Sequence, residues 1–125
     1  MDTITKFIIP GIAFLLTLAF GIWLSNSGKP YNGILFNVHK LIALGAAILA
    51  AVQLFKVWQD TGIQVVPLVL IVVAVVCVIA LFATGALMSI EKMSYQVTLT
   101  IHRLAPILAT VSMVVAVYLL NTWKQ

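Results

Sequence analysis

Four long apolar runs, at roughly 7–24, 33–55, 63–88 and 96–120, dominate this chain. Each reaches or exceeds the roughly 17–25 residues needed to cross the hydrocarbon core of a bilayer. Lipid offers the backbone no hydrogen-bond partners, so a crossing segment must satisfy its own N–H and C=O groups; this predicts α-helix for all four. The stretches between them, 25–32, 56–62 and 89–95, are seven or eight residues long, enough to join antiparallel neighbours. The expected fold is an all-α integral membrane protein: a four-transmembrane-helix up-down bundle forming a single domain over residues 1–125. With 63% apolar and only 8% charged residues, an ordinary soluble domain is excluded.

The formal charge of +4 comes from seven bases and three acids. The bases are spread over loops and termini and form no patch, so nucleic acid is not an expected partner; membrane lipid is, with Lys and Arg marking the helix ends. Cys77 is the only cysteine and falls within a span, which leaves no disulfide and no thiolate cluster within the chain.

The only two histidines lie inside apolar runs, in Asn37-Val38-His39-Lys40-Leu41 and Thr100-Ile101-His102-Arg103-Leu104. An ionisable side chain in a span is costly to insert and marks a functional site. The two phrases belong to a longer repeat at an offset of 63 residues. Leu24 then matches Leu87, Lys29 matches Lys92, and Leu41 matches Leu104. With one residue of slack Gly21 meets Gly85 and Tyr31 meets Tyr95. Two repeated helical hairpins, about 7–55 and 63–120, are expected, with a pseudo-twofold axis along the membrane normal. A signal-peptide reading of 7–27 is set aside because the repeat pairs that helix with the third.

Two spans separate the loops that precede the histidines, so both histidines lie near one membrane face. Each is six residues into its helix, about 9 Å below that face at ~1.5 Å per residue. Two imidazoles at equal depth on helices related by a twofold suit the two axial positions of one haem iron. Zinc or a bare iron needs more protein ligands than two histidines supply, and no acid lies within a span. Mostly small side chains follow each ligand on its own face: Ala43, Ala46, Ala47 and Ala50 after His39, and Ala105, Ala109, Ser112, Met113 and Ala116 after His102. They are expected to leave a gap for the ring, the alternative being close helix packing. Lys40, Arg103, Lys29 and Lys92 are expected either to meet haem propionates or to snorkel to headgroups. A ligating imidazole donates its other N–H; the expected acceptors are the Leu35 carbonyl and the carbonyl or hydroxyl of Thr98.

On these residues the chain resembles the small four-helix membrane b-type cytochromes, in which pairs of histidines hold haem between transmembrane helices. The resemblance covers the bundle, a histidine in each of two helices two spans apart, and the base beside each. It implies haem b and electron transfer to or from a quinone or a partner redox protein. The chain would then serve as an electron-transfer subunit of a membrane oxidoreductase, in a homo-oligomer or larger complex in a prokaryotic cytoplasmic membrane. Many such proteins hold two haems, whereas this chain has histidines for one. A cofactor-free membrane anchor or assembly subunit is the alternative. A proton-coupled exporter needs an acid within a span and is disfavoured. Four bases on the histidine side (Lys29, Lys40, Lys92, Arg103) against three opposite (Lys6, Lys56, Lys124) only narrowly favour that side as cytoplasmic.

Overall fold

The computed structural model describes residues 3–28, 32–90 and 94–122; Lys29, Lys92, Tyr31 and Glu91 lie outside the described residues. Among the described residues the chain is all-helical, with α1 (Thr3–Lys6), α2 (Ile8–Asn26), α3 (Gly33–Thr61), α4 (Val65–Ile90) and α5 (Tyr95–Thr122). Of these, α2 to α5 are long and apolar enough to cross a membrane. Only 11 to 22% of the residues in their apolar windows are buried, so side chains such as Ile9, Val65, Ile79, Leu104 and Val114 face outward. The chain forms two compact units, Met1–Gly62 and Ile63–Gln125, and each is one helical hairpin.

In the first hairpin α2 packs against α3. Pro10 explains why α1 and α2 are separate. It has no N–H for the Lys6 carbonyl, and its ring crowds that carbonyl. The helix breaks at Phe7 (φ −101°, ψ 4°) and resumes with Gly11 N donating to the Phe7 carbonyl at 2.9 Å. The start of α3 is capped by Asn32, whose Oδ1 accepts from Ile34 N at 2.9 Å and Leu35 N at 3.2 Å, using two of the amides that a helix start leaves unpaired.

The end of α3 corrects the expected loop at 56–62. The helix continues through Lys56, Val57, Trp58, Gln59, Asp60 and Thr61, and Val57 is buried. Polar residues can end an apolar run without ending a helix, because none of these six breaks one. Gly62 does, at φ 72°, with its N–H on the Trp58 carbonyl. At this far end from His39, Lys6 Nζ lies 3.6 Å from Asp60 Oδ2.

The second hairpin has the more continuous seam. Ile71, Ala74, Cys77, Thr84 and Met88 of α4 are buried, as are Thr98, Ala105, Ala109, Ser112, Ala116 and Leu120 of α5. The α5 set advances in steps of three, four and seven, a stripe along one face, and its small side chains let two backbones approach closely. Pro67 occupies the first turn of α4, where its missing N–H costs nothing. Pro106 is different: it lies inside α5, and the carbonyl it cannot serve, four residues back, is that of His102.

Candidate functional site

Each hairpin places its histidine against the neighbouring helix by the same means, an acceptor for Nδ1 and a glycine beneath the ring. His39 is the seventh residue of α3 and half-buried. Its Nδ1 lies 2.9 Å from the Thr17 carbonyl oxygen of α2. A carbonyl can only accept, so Nδ1 carries the proton and donates. The side chain four residues after a helical carbonyl ordinarily shields it; after Thr17 that residue is Gly21, which has none. A Cβ there would stand 2.9 Å from His39 Cε1 and 3.3 Å from Nδ1. Glycine at 21 is therefore what lets the imidazole reach the backbone. Thr17 is itself buried and turns its hydroxyl to the Ala13 carbonyl at 3.0 Å.

In the second hairpin His102 of α5 is half-buried, with its Nδ1 2.9 Å from Thr84 Oγ1 of α4. That hydroxyl also lies 2.7 Å from the Ala80 carbonyl and 3.3 Å from that of Leu81. With its one proton on the shorter of these contacts, the hydroxyl would accept from His102 Nδ1–H. Gly85 lies beneath this ring, but less tightly: an added Cβ would meet Cε1 at 3.5 Å, an ordinary contact.

A neutral imidazole that carries its proton on Nδ1 has its lone pair on Nε2. His39 is thus held as the tautomer that ligates a metal through Nε2, and His102 takes the same tautomer when Thr84 donates to the Ala80 carbonyl. The acceptors differ from those expected. They are not one turn back on the same helix but across each hairpin, at Thr17 and Thr84. The Leu35 carbonyl already faces the backbone N–H four residues on, as in any helix. Thr98, 1% exposed, directs its hydroxyl to the Ser94 and Tyr95 carbonyls at 3.0 and 3.1 Å.

The remaining expected site residues divide by place. Ala43 is half-buried and Ala46 buried on α3. Ala105 and Ala109 are buried in the seam of the second hairpin with Cys77, packed by Val73 and Leu81 of α4. Lys40 is exposed and its ammonium sits over the Phe36 ring, 5.4 Å from the centroid, reaching back one turn towards the helix start as a snorkelling base does. Arg103 is exposed. Among the described residues no three His, Cys, Asp or Glu side chains gather to hold a metal ion. A metal here would need ligands from elsewhere, as a porphyrin supplies.

Two contributors were not anticipated from sequence: the Thr17 carbonyl and the Thr84 hydroxyl. The available signal was the Gly21–Gly85 match, which stood out as part of the repeat but not as a seat for an imidazole. Comparison of the chain with protein-family models, curated proteins and solved structures finds no match.

Proposed function

We propose that this chain is a membrane-embedded electron-transfer protein in which His39 and His102, one from each hairpin, are the axial ligands of a single haem b. The observation that carries the reading is the shared geometry: each imidazole places Nδ1 2.9 Å from an oxygen across its own hairpin, and donation from Nδ1 would make Nε2 the ligating atom. The glycine under each ring supports the further reading that the hairpins are repeats, and the four long apolar helices suit an up-down transmembrane bundle. The donor set fits haem, since two neutral imidazoles complete an iron that a porphyrin already holds by four nitrogens.

Bound haem supplies one-electron redox chemistry. The chain's residues do the rest. The Thr17 carbonyl and the Thr84 hydroxyl orient the ligands, and the apolar surfaces of α2 to α5 keep them in lipid. Lys40 and Arg103, each adjacent to a ligand, place positive charge at that end of the helices. With His39 and His102 as its protein ligands, a bound haem would have no position open to a substrate and would exchange electrons with a quinone or a redox partner at the histidine-bearing face, in what would be a prokaryotic cytoplasmic membrane.

The test is the visible spectrum of detergent-purified protein, oxidised and then reduced. A low-spin bis-imidazole spectrum is expected, abolished to a similar degree by His39→Ala and His102→Ala and unchanged by Lys56→Ala at the opposite end of α3. A normal spectrum in either histidine variant overturns the pairing. Protein that takes up no haem would favour the second reading, a membrane anchor or assembly subunit. One observation speaks for that reading: Ala105 and Ala109 are engaged in helix packing within their own hairpin.

A further inference from the structure

The two histidines are held by chemically different acceptors. For His39 the acceptor is main chain, the Thr17 carbonyl, and no side-chain substitution at 17 removes it. For His102 it is a side chain, the Thr84 hydroxyl. We propose that Thr84 is a positioning residue that fixes the tautomer and orientation of His102 through a directed relay, His102 Nδ1–H to Thr84 Oγ1–H to the Ala80 carbonyl. As a statement about haem ligation this rests on the function proposed above; as a statement about His102 it does not.

Thr84 has one proton, so a donation to the Ala80 carbonyl leaves its oxygen to accept from His102. At 2.7 Å the Ala80 carbonyl is the shorter of its two helical acceptors, and a hydroxyl that donates strongly becomes a better acceptor in turn. Thr84 is 6% exposed, so water does not readily compete for the hydroxyl. The need for a side chain follows from the glycines. Under His39, Gly21 lies close enough that the ring contacts the backbone of the preceding turn directly. Under His102, Gly85 stands further off, with its hypothetical Cβ 3.5 Å from Cε1 rather than 2.9 Å. The hydroxyl one residue before Gly85 takes the place that the carbonyl holds in the first hairpin. The residue before Gly21 is Phe20, which has no such group.

The experiment uses full-length protein in lipid bilayers, with Thr84→Val, Thr84→Ser and Thr98→Val compared with wild type. Thr98 is the control: it is as buried as Thr84, and its hydroxyl turns back to the carbonyls of Ser94 and Tyr95 at the start of α5. The first readout is the ¹⁵N resonances of His102 in haem-free protein, which report the tautomer whether or not haem is ever bound. Wild type, Thr84→Ser and Thr98→Val should show the proton on Nδ1, and Thr84→Val a mixture of tautomers. The second readout is haem titration, where Thr84→Val should bind about 10- to 100-fold more weakly, the range typical of lost outer-shell partners, with Thr84→Ser recovering the affinity. If Thr84→Val does not insert, Thr84→Ala is read in its place.

A wild-type tautomer in Thr84→Val, or equal loss in Thr98→Val, overturns the positioning role. If haem fails to bind wild type while the tautomer still responds to Thr84, the function falls and the role of Thr84 stands.

Discussion

Alanine at position 21 should destabilise the first hairpin, whereas alanine at position 85 should not harm the second. The two glycines look equivalent in sequence, so the contrast tests the geometry and not the repeat. An alanine Cβ at 21 would begin 2.9 Å from His39 Cε1, against about 3.5–4.0 Å for relaxed carbon contacts. The ring would have to withdraw by roughly 0.6 Å or more. Its Nδ1 now lies 2.9 Å from the Thr17 oxygen; withdrawal along that line would stretch the bond to about 3.5 Å, where it ceases to count. Losing the bond costs about 0.5–1.5 kcal/mol, and crowding a packed interface about 1–3 kcal/mol. The better helix propensity of alanine returns about 0.8–1.0 kcal/mol.

The net expectation for Gly21→Ala is a loss of about 2 kcal/mol. For Gly85→Ala, with a 3.5 Å contact, the propensity gain stands alone, and stability should rise by up to about 1 kcal/mol. The assay is SDS-titrated unfolding of each variant in mixed micelles, followed by helical circular dichroism, with the His39 ¹⁵N resonances read in parallel. Equal effects at the two positions would refute the reasoning. So would a Gly21→Ala variant as stable as wild type with Nδ1 still donating.

Other outcomes follow from the same structure. Ala109→Leu should cost about 1–3 kcal/mol by overpacking the seam against Cys77 and Val73, measured by the same titration. Asn32→Ala removes the cap of α3 and should cost about 1 kcal/mol, with Asn32→Asp recovering most of it. Gly62→Ala places a side chain at φ 72°, ψ 174°, a region open essentially to glycine alone, and should cost about 1–3 kcal/mol. Asp60→Asn should change stability by less than about 1 kcal/mol, because Asp60 is 63% exposed in its 3.6 Å pair with Lys6.

Span length and the shortness of the connections were legible in the chain, because bilayer thickness and backbone hydrogen bonding leave few choices. The two histidines stood out for the same reason: a titratable ring in an apolar run is an anomaly that needs a cause. The end of α3 was not legible as read, since the polarity of Lys56 to Thr61 reports where the apolar run ends and says little about where the helix does. The acceptors of the histidines were hidden for a different reason. That Thr17 faces His39 and Thr84 faces His102 depends on the register of one helix against another, and a run of valine, leucine and alanine allows several registers of similar hydrophobicity. The alanines after His102 suited two roles in sequence, a gap or a seam, because a small side chain permits close approach by whatever lies opposite.

How Nδ1 is held selects the nitrogen that could ligate, but a packing histidine also benefits from an acceptor when removed from water. The difference lies in whether the two imidazoles act together. If each only secures its own hairpin, removing both should cost the sum of removing each, because residues without shared partners behave additively. If they share one iron, the first removal already forfeits the bis-imidazole site and the second adds little to the loss of haem. Residues that act as a unit are strongly non-additive in this way. His39 and His102 belong to separate compact units, which makes the distinction sharp. With each histidine tied to an acceptor in its own hairpin, strong coupling between the two variants points to a common ligand.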